Sequence, residues 1–325
     1  MDLYRTLPDI KGTEWRALRL QDGEALADLE VACKSIDGET ALRDGAAWQR
    51  EIGELENAKR DSVVAMGKNG RVAAVGHISY SDRAEEVHAF LEGRIHPGIR
   101  GKGVGIRLLA WLEHQAVKRL DEVANGRSRI LRILFFDRGP DAIALFEEAG
   151  YRFQYAEDEM TFSLKQKLPE QFMLSGLMAE DWSPSNAAGF YEAYSGAFQT
   201  RTDQLLSRTA WTSHFADPTD EEFRRDFSLL MRYEEDEQVG FVVCHVDDPD
   251  GRDGWGTQIG GVPEWRRRGV GSALLVQVAK RMKTAGFKKM KLSVNQDNVA
   301  ARKAYEAFGF VLAKRFTLYR KKLEE

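Results

Sequence analysis

The chain contains the same glycine loop twice, and this repeat limits the possible folds more than any other feature. The first copy is IRGKGVGIRLL, Ile99–Leu109, and the second is WRRRGVGSALL, Trp265–Leu275. In each copy an arginine is followed three residues later by a glycine, and by a second glycine after one intervening residue. An apolar run follows at once, so each loop is predicted to lead into a buried helix.

The repeat extends beyond the loops. Arg100 and Arg266 lie 166 positions apart, and Gly150 and Gly309, which each end a predicted helix, lie 159 positions apart. A chain of 325 residues is comfortable for two domains of about 150 residues each. The near-equal spacing therefore predicts a duplicated domain.

A polar, proline-containing segment marks the predicted junction. It is KQKLPEQF, Lys165–Phe172, and it predicts an N-terminal domain over residues 1–165 and a C-terminal domain over residues 172–325. The segment FMLSGL, Phe172–Leu177, begins at the end of this junction and is predicted to be the first strand of the second domain. In both halves strands and helices follow in the same order, which predicts an α/β fold.

Local patterns support this order. Lys68-Asn69-Gly70 joins two β-branched runs, and Asn-Gly is a strong signal for a tight hairpin. After the loops, apolar residues recur at helical spacing over residues 106–120 and 272–285. The matching order predicts that both loops connect a strand to a helix.

Composition and charge exclude several classes of protein. The chain is 43% hydrophobic and 30% charged, with a net charge of −4, which is typical of globular proteins and predicts no nucleic-acid or membrane partner. Cys33 and Cys244 have no metal-ligand spacing, so neither a disulfide framework nor a metal site is predicted. The N-terminal MDLYRTLPDIKG has no secretory pattern, and a cytoplasmic protein is expected.

The loops indicate phosphate binding. A glycine turn between a strand and a helix leaves the first N–H groups of the helix unpaired, and these attract a phosphate. In the second copy Gly269 and Gly271 allow close approach, and three arginines, Arg266 to Arg268, add positive charge, which indicates a pyrophosphate. A dinucleotide fingerprint would need glycine where Leu274 stands, and a Walker loop would need Gly-Lys-Ser/Thr. For a single loop, an arginine-rich surface turn stays open as an alternative.

The second half carries a longer pattern that identifies a family. The loop, a strand and the segment NQDNVAARKAYEAFGF together resemble the acyl-CoA-dependent N-acetyltransferases of the GNAT superfamily. The resemblance covers roughly residues 15–165 and 172–322, and it implies two tandem GNAT-like domains, each a mostly antiparallel mixed sheet flanked by helices. The tandem layout is similar to the mycothiol synthase type of this superfamily. The matching residues are Arg266, Gly269, Gly271, Asn295, Asn298, Ala301, Tyr305, Gly309 and Phe310.

The resemblance implies that acetyl-CoA is the cosubstrate and that an amine of a small molecule or peptide attacks its thioester directly. Tyr305 would be the general acid that protonates the leaving sulfur. The loop would hold the pyrophosphate and the preceding strand the pantetheine arm, with two asparagines and an alanine near the arm. The implied cofactor-binding residues are Gly260, Gly261, Val262, Arg266, Arg267, Arg268, Gly269, Val270, Gly271, Ser272, Asn295, Asn298 and Ala301.

The general base is not assigned. Strand GTQIGGV has no carboxylate. Asp253, just upstream, is either the base or only a turn residue, and a water that relays the proton to bulk solvent is the other open alternative. Substrate contacts are expected from the segment that starts at Tyr191, where aromatic residues either line an acceptor pocket or belong to the core. These residues are Tyr191, Tyr194, Trp211 and His214.

The first half has lost the acid. Aligning Gly150 with Gly309 puts Phe146 in the position of Tyr305, Ala142 at Ala301 and Gly139 at Asn298, and phenylalanine cannot donate a proton. The first loop keeps Arg100, Gly103 and Gly105, which form a second, weaker candidate cofactor site. The C-terminal unit is therefore predicted to be the catalyst, and the N-terminal unit to hold CoA without turnover or to be a scaffold. The alternative function is a CoA-binding scaffold or regulatory protein with vestigial turnover.

Overall fold

The computed structural model describes residues 4–37, 42–82, 85–136, 140–170, 175–199, 205–234, 237–246 and 252–324. Its strands are β1 Thr13–Arg16, β2 Ser62–Gly67, β3 Val72–Asp82, β4 Glu86–Ile95, β5 Ser128–Phe136, β6 Arg152–Ser163, β7 Leu177–Asp181, β8 Leu229–Tyr233, β9 Glu237–Val246, β10 Asp253–Gly261, β11 Lys289–Asn295 and β12 Val311–Lys322. Its helices are α1 Gly23–Asp37, α2 Gly45–Gly53, α3 Ala58–Asp61, α4 Val104–Val123, α5 Pro140–Glu148, α6 Ala187–Ala197, α7 Arg208–Phe215, α8 Val270–Thr284 and α9 Val299–Phe308.

The chain forms two compact units. Unit 1 comprises residues 1–157 and 314–325, and unit 2 comprises residues 158–313. The sheet of unit 1 has the strand order β1-β2-β3-β4-β5-β12, and that of unit 2 the order β6-β11-β10-β9-β8-β7. The pairs β4–β5 and β10–β11 are parallel, whereas pairs such as β3–β4 and β9–β10 are antiparallel. The predicted fold class, a mostly antiparallel mixed sheet with helices in each unit, is confirmed.

The last strand of the second sequence half, β12, lies in unit 1 from residue 314 onward. β12 pairs antiparallel with β5, from Phe316 opposite Phe136 to Lys322 opposite Ile130, and Tyr319 of β12 packs on Phe135. The compact units therefore follow the sheets and not the order of the sequence repeat. The boundary predicted between residues 165 and 172 concerns the repeat itself and stays a prediction.

The helices that follow the loops form the centre of each core. In α8 the residues Leu274, Leu275, Val278 and Met282 are all buried, as the helical spacing predicts. The equivalent helix α4 buries Leu108, Leu112, Ala116 and Leu120. Both helices begin two residues earlier than predicted, at Val270 and Val104, because the preceding glycine is the left-handed residue at which the chain turns into the helix.

The predicted hairpin is present, and the strand predicted at the start of the second half is described only in part. β2 and β3 pair antiparallel, and Gly70 in their turn has a φ of 77°. β7 begins at Leu177, the last residue of the predicted strand FMLSGL. Of that prediction, residues 172–174 lie outside the described part, while Ser175 and Gly176 form a turn in which Gly176 has a φ of 88°. Among the described residues, no helix is both long and apolar enough to cross a membrane.

Candidate functional site

In unit 2, β10 and β11 separate at the end that leads into the glycine loop. Their parallel pairing ends at Gly256 opposite Leu292, although β10 continues to Gly261 and β11 to Asn295. On its other edge β10 stays paired with β9 as far as Gly261 opposite Gly240. Backbone groups on the freed edge of β10 are thus available to an extended ligand, as in the addition of a strand to a sheet edge.

The residues predicted to line the pantetheine arm lie along this part of β10. Gly260 is closely covered by α6, since a Cβ atom there would lie 2.8 Å from the Cβ of Ala197 and 2.8 Å from the Phe241 ring. Gly261 is more open, and its nearest neighbour would be a carbonyl oxygen at 3.8 Å. The backbone N–H of Val262 donates to the Val239 carbonyl at 3.1 Å, which fixes the end of the strand. Only glycine fits at position 260.

The glycine loop of unit 2 has the backbone that an anion site needs. Gly269 has a φ of 86° and is the N-terminal cap of α8, and no side chain caps the helix there. The first N–H groups of α8 are therefore free of side-chain partners, and a helix N-terminus of this kind attracts phosphate. A Cβ at Gly271 would meet no atom within 4 Å, so the approach to these N–H groups is open.

The three predicted arginines have different roles. Arg266 donates to the Ala197 carbonyl at 3.0 Å and ties the loop to the end of α6. Arg268 lies over the Trp265 ring at 5.1 Å, and Arg267 is exposed with a φ of 63°, a costly conformation for a residue with a side chain. Arg267 and Arg268 therefore remain the cations best placed to meet an anion above the loop.

The two other loop residues predicted at the site have contrasting positions. The Val270 side chain is buried, and its Cγ1 would lie 2.7 Å from a Cβ at Gly240, so it anchors α8 to β9. Ser272 is exposed in the first turn of α8, beside the uncapped N–H groups. Val270 thus positions the loop, while Ser272 lies on its open surface.

The predicted asparagines shape the turn before α9. The Asn295 side-chain oxygen accepts from the N–H of Asp297 at 2.9 Å, and the Asn298 oxygen accepts from the N–H of Ala301 at 3.2 Å as the N-cap of α9. Each carboxamide oxygen is thus used within the turn. What each amide can offer a ligand is its NH₂ group, which is a donor. The half-buried Ala301 packs on the core of unit 2.

Tyr305 is half-buried on α9, and its ring lies 5.9 Å from that of Phe310. Gly309, with a φ of 110°, ends the helix, and its N–H donates to the Tyr305 carbonyl at 3.1 Å. Burial raises the pKa of Tyr305 to about 12, so the phenol keeps its proton at neutral pH. Among the described residues its hydroxyl makes no hydrogen bond to protein, which leaves it available to a ligand.

Unit 1 repeats the strand and loop geometry but not the surroundings. The pairing of β4 with β5 also ends early, at Phe90 opposite Arg132, and Gly103 has a φ of 76°. A Cβ at Gly105, however, would lie 3.3 Å from Leu145 of α5, so this loop is partly covered. Arg100 is held by a bidentate ion pair with Asp37 at 2.6 and 2.8 Å.

The helix α5 of unit 1 carries no acid at the position that matches Tyr305. Phe146 is buried there and packs 5.3 Å from the Phe135 ring. Ala142 is half-buried, and Gly139 lies outside the described residues. Phe146 therefore belongs to the core of unit 1, and its side chain has no proton to donate.

The aromatic residues predicted near the acceptor belong mainly to the core. Trp211 and Tyr194 are buried, with ring centroids 5.4 Å apart, and Tyr191 lies 5.9 Å from Tyr194. The Trp211 indole N–H donates to the side-chain oxygen of Gln258 at 3.0 Å, so this cluster supports β10. His214 alone of the four is exposed.

A charged cluster in unit 1 escaped sequence prediction. Arg43 forms ion pairs with Glu30 and Glu51, each at 2.7 Å, and with Glu92, while His77 Nε2 lies 2.6 Å from Glu51. Burial alone would raise the pKa of Glu92, but His77 and Arg43 hold it at about 2. Possible ligand atoms of Glu51, His77 and Glu92 lie within 4.8 Å of one another, and both of these carboxylates are already paired with the Arg43 guanidinium.

Comparison with known proteins agrees with this geometry. The family model described as "Acetyltransferase (GNAT) family" matches residues 24–151 and 188–310. A curated relative, mycothiol acetyltransferase of Corynebacterium glutamicum (strain R), is 30% identical over 239 residues, which cover 70% of this chain and 73% of that protein.

Two solved structures share the fold. One is a GCN5-related N-acetyltransferase from Sphaerobacter thermophilus, with a TM-score of 0.80, 24% identity and 98% of both chains covered. The other is a tandem GNAT protein from the clavulanic acid biosynthesis pathway, with a TM-score of 0.63 and 15% identity. That comparison covers 96% of this chain and 99% of the other.

Proposed function

Since the chain belongs to the acetyltransferase (GNAT) family and is a tandem N-acetyltransferase, we propose that it transfers an acetyl group from acetyl-CoA to a primary amine of a small molecule or peptide. One observation carries the proposal. Unit 2 combines strands β10 and β11, which separate before an uncapped glycine loop, with Tyr305 on the helix after β11, a protonated phenol that has no hydrogen-bond partner among the described residues. The relative named mycothiol acetyltransferase supports a small-molecule acceptor.

The residues of unit 2 fit acetyl-CoA. The uncapped N-terminus of α8, with open space at Gly271 and two exposed arginines, Arg267 and Arg268, suits the pyrophosphate. The freed edge of β10 from Thr257 to Gly261 suits the amide groups of an extended pantetheine arm. The NH₂ groups of Asn295 and Asn298 are donors for carbonyl oxygens of that arm.

The reaction we propose needs no covalent enzyme intermediate. Acetyl-CoA supplies an activated carbonyl and a sulfur leaving group. The amine nitrogen bonds to that carbonyl carbon as the carbon–sulfur bond breaks, and Tyr305 gives its proton to the sulfur. The raised pKa keeps that proton on Tyr305 until a strong acceptor forms beside it.

Unit 1 is proposed to hold CoA without turnover, or to act only as a scaffold. Phe146 replaces the acid, and Leu145 lies close to the loop glycine Gly105. Arg100 is already paired with Asp37 and so brings little free charge to the loop. A protein that only binds CoA remains the second candidate, because β10 carries no carboxylate along the part that separates from β11.

We also propose a cytoplasmic location. Cys33 and Cys244 are both buried and unpaired, which suits a reducing compartment. Labelling of free thiols in protein taken rapidly from cells tests this. An oxidised pair or adduct at either residue in growing cells would contradict it.

The function is tested by measuring thiol release from acetyl-CoA with a panel of primary amines. We expect turnover in the wild type and a kcat about 100-fold to 10,000-fold lower in Tyr305→Phe, which is the range for loss of a general acid. The Kd for acetyl-CoA changes little, since only one hydroxyl is removed. Tyr233→Phe, which removes a hydroxyl at the end of β8, is the matched control and keeps the wild-type rate.

Two results would contradict the proposal. Tight CoA binding by the wild type with no turnover on any amine favours the scaffold. An unchanged rate in Tyr305→Phe removes the general-acid role and leaves the transfer reaction itself standing.

A further inference from the structure

A histidine that the sequence did not single out lies beside the point where β10 leaves β11. His245 on β9 is directly opposite Trp255 of β10, next to the last β10–β11 pair at Gly256. Its Nδ1 atom lies 2.9 Å from the hydroxyl of Thr257, the residue that follows Gly256. The pairing of β10 with β9 shifts register at this place, between Gly256 and Gln258. His245 is therefore linked to the strand residue at which the gap between the strands begins.

The hydrogen bonds around Thr257 define the tautomer of His245. The Thr257 hydroxyl donates to the Val243 carbonyl at 3.1 Å, so toward His245 its oxygen is an acceptor. The Nδ1 atom must then carry a hydrogen, which leaves the lone pair of the neutral imidazole on Nε2. The Asp220 carboxylate lies 3.8 Å from Nε2, where it stabilises an imidazolium once a proton has been taken up.

The surroundings keep His245 neutral at physiological pH. Its side chain is 12% exposed, and burial is the main cause that lowers its pKa below the ordinary value. Asp220, in the segment after α7, raises the pKa in part, and His214 on α7 lowers it. The Phe223 ring lies 5.5 Å away and Thr257 is the polar neighbour on β10. The imidazole is therefore unprotonated around pH 7, and the Asp220 carboxylate is placed to stabilise it once it is protonated.

Other candidate bases near β10 are already engaged. Asp253 lies 3.1 Å from Lys291 and 4.0 Å from Lys289, which hold its charge. Glu237 accepts from the Trp265 indole at 2.8 Å. Gln258 has no titratable group, and its oxygen accepts from Trp211. His245 has the geometry that these residues lack.

We propose that His245 is the proton acceptor for the substrate amine in unit 2, oriented by Thr257 and backed by Asp220. The proposal rests on the acetyl transfer proposed above. The amine arrives as an ammonium, one N–H bond breaks and its proton moves to His245 Nε2, so that the nitrogen regains its lone pair. The nitrogen loses a second proton as the amide forms, and that proton restores the Tyr305 phenol through solvent. The imidazolium finally returns its proton to solvent.

The test is the pH dependence of kcat/KM for amine acetylation. We expect the wild-type rate to rise with pH through the His245 pKa, with this acid limb below pH 6.5, and to level off above it. His245→Gln is expected to lower kcat about 100-fold to 10,000-fold and to remove this limb. His114→Gln, an exposed histidine on α4 of unit 1, is the control and leaves rate and limb unchanged.

Two neighbouring side chains act on the His245 pKa with opposite sign, and their removal gives shifts that a merely structural histidine would not produce. Asp220→Asn removes the charge that raises the His245 pKa, so the acid limb moves to lower pH. His214→Gln removes the imidazole that lowers this pKa, so the limb moves to higher pH. Both variants keep the imidazole, and they decide the matter even if His245→Gln does not fold.

The outcomes separate the two proposals. If Tyr305→Phe is slow while His245→Gln keeps its rate and its acid limb, His245 is not the acceptor and the transferase function stands. An acid limb that does not move in either Asp220→Asn or His214→Gln also overturns the role of His245. A wild type without turnover on any amine overturns the transferase function and this inference with it.

Discussion

The two glycine loops have matching backbones and different surroundings. Gly103 and Gly269 have φ values of 76° and 86°. The residue two positions before each of these glycines, Gly101 or Arg267, also has a left-handed backbone. The space above the loops differs, because Leu145 approaches Gly105 while the space around Gly271 is open. The loop backbone therefore makes phosphate binding possible in both units. Side chains from other elements, such as Leu145 in unit 1, decide whether the loop is open to a ligand.

The strands before the loops differ in charge at equivalent places. Glu92 of β4 and Gln258 of β10 lie 166 positions apart, the same spacing as the loop arginines. Glu92 is paired with Arg43, whereas Gln258 accepts a neutral hydrogen bond from Trp211. In unit 1 the face beside the strand is thus a network of ion pairs, and in unit 2 it is an uncharged cluster.

The largest effect that separates the units concerns stability. Arg43→Met leaves the carboxylates of Glu30, Glu51 and Glu92 without their shared cation, and we expect the free energy of unfolding to fall by about 2 to 4 kcal/mol. The value lies at the lower end for a broken buried pair because Glu51 and Glu92 are about 30% exposed. Denaturant unfolding measures it, with the exposed Arg50→Met as control, which changes little.

The rate of acetyl transfer by folded Arg43→Met should equal that of the wild type. A loss of activity in the folded variant would show that unit 1 contributes to catalysis. The division of roles between the units would then be wrong.

The next effect separates the two loops as binding sites. Gly271→Glu places a carboxylate in open space at the start of α8, where the helix dipole tolerates it, but where it repels a pyrophosphate. We expect the Kd for acetyl-CoA, measured by calorimetry, to rise about tenfold or more and the activity to fall with it. Gly105→Glu is the matched variant in unit 1 and should leave activity unchanged.

The loop comparison fails if the result is reversed. Activity lost with Gly105→Glu and kept with Gly271→Glu would assign the working site to unit 1. Loss with both would indicate that the two loops depend on each other.

The smallest effect distinguishes two roles of one residue. Asn298→Ser keeps an N-cap oxygen for α9 but removes the NH₂ donor, so stability should change by only about 0.3 kcal/mol while the KM for acetyl-CoA rises about twofold to tenfold. Asn298→Ala removes both groups and should also cost about 1 kcal/mol of stability. Equal KM values in Asn298→Ser and the wild type would restrict this residue to capping.

The sequence predicts the parts of the fold that local pattern encodes. The glycine loops, the helices after them and the contrast of Tyr305 with Phe146 all follow from spacing, and the family resemblance to GNAT enzymes is confirmed. Within the described residues, the strand predicted over Phe172–Leu177 overlaps β7 only at Leu177, because Ser175 and Gly176 form a turn. The roles of Tyr305 and of the cofactor residues stay predictions.

Features that depend on contacts between distant residues could not be predicted. The Arg43 network joins residues of α1, α2, β3 and β4, and no spacing in the chain indicates that they meet. Arg266 has the pattern of an anion ligand, yet it also binds the end of α6 through Ala197. Nothing in the pattern of β12 indicates that it pairs with β5 of unit 1, because that pairing joins residues far apart in the sequence.

The pairing of β12 with β5 also makes unit 1 depend on chain from both sides of unit 2. Residues 314–325, which follow unit 2 in the sequence, supply the part of β12 that pairs with β5. A fragment cut between residues 313 and 314 would keep every residue of unit 2 and leave this edge of β5 uncovered. An uncovered strand edge is a template for wrong pairing, so such a fragment is expected to aggregate through unit 1.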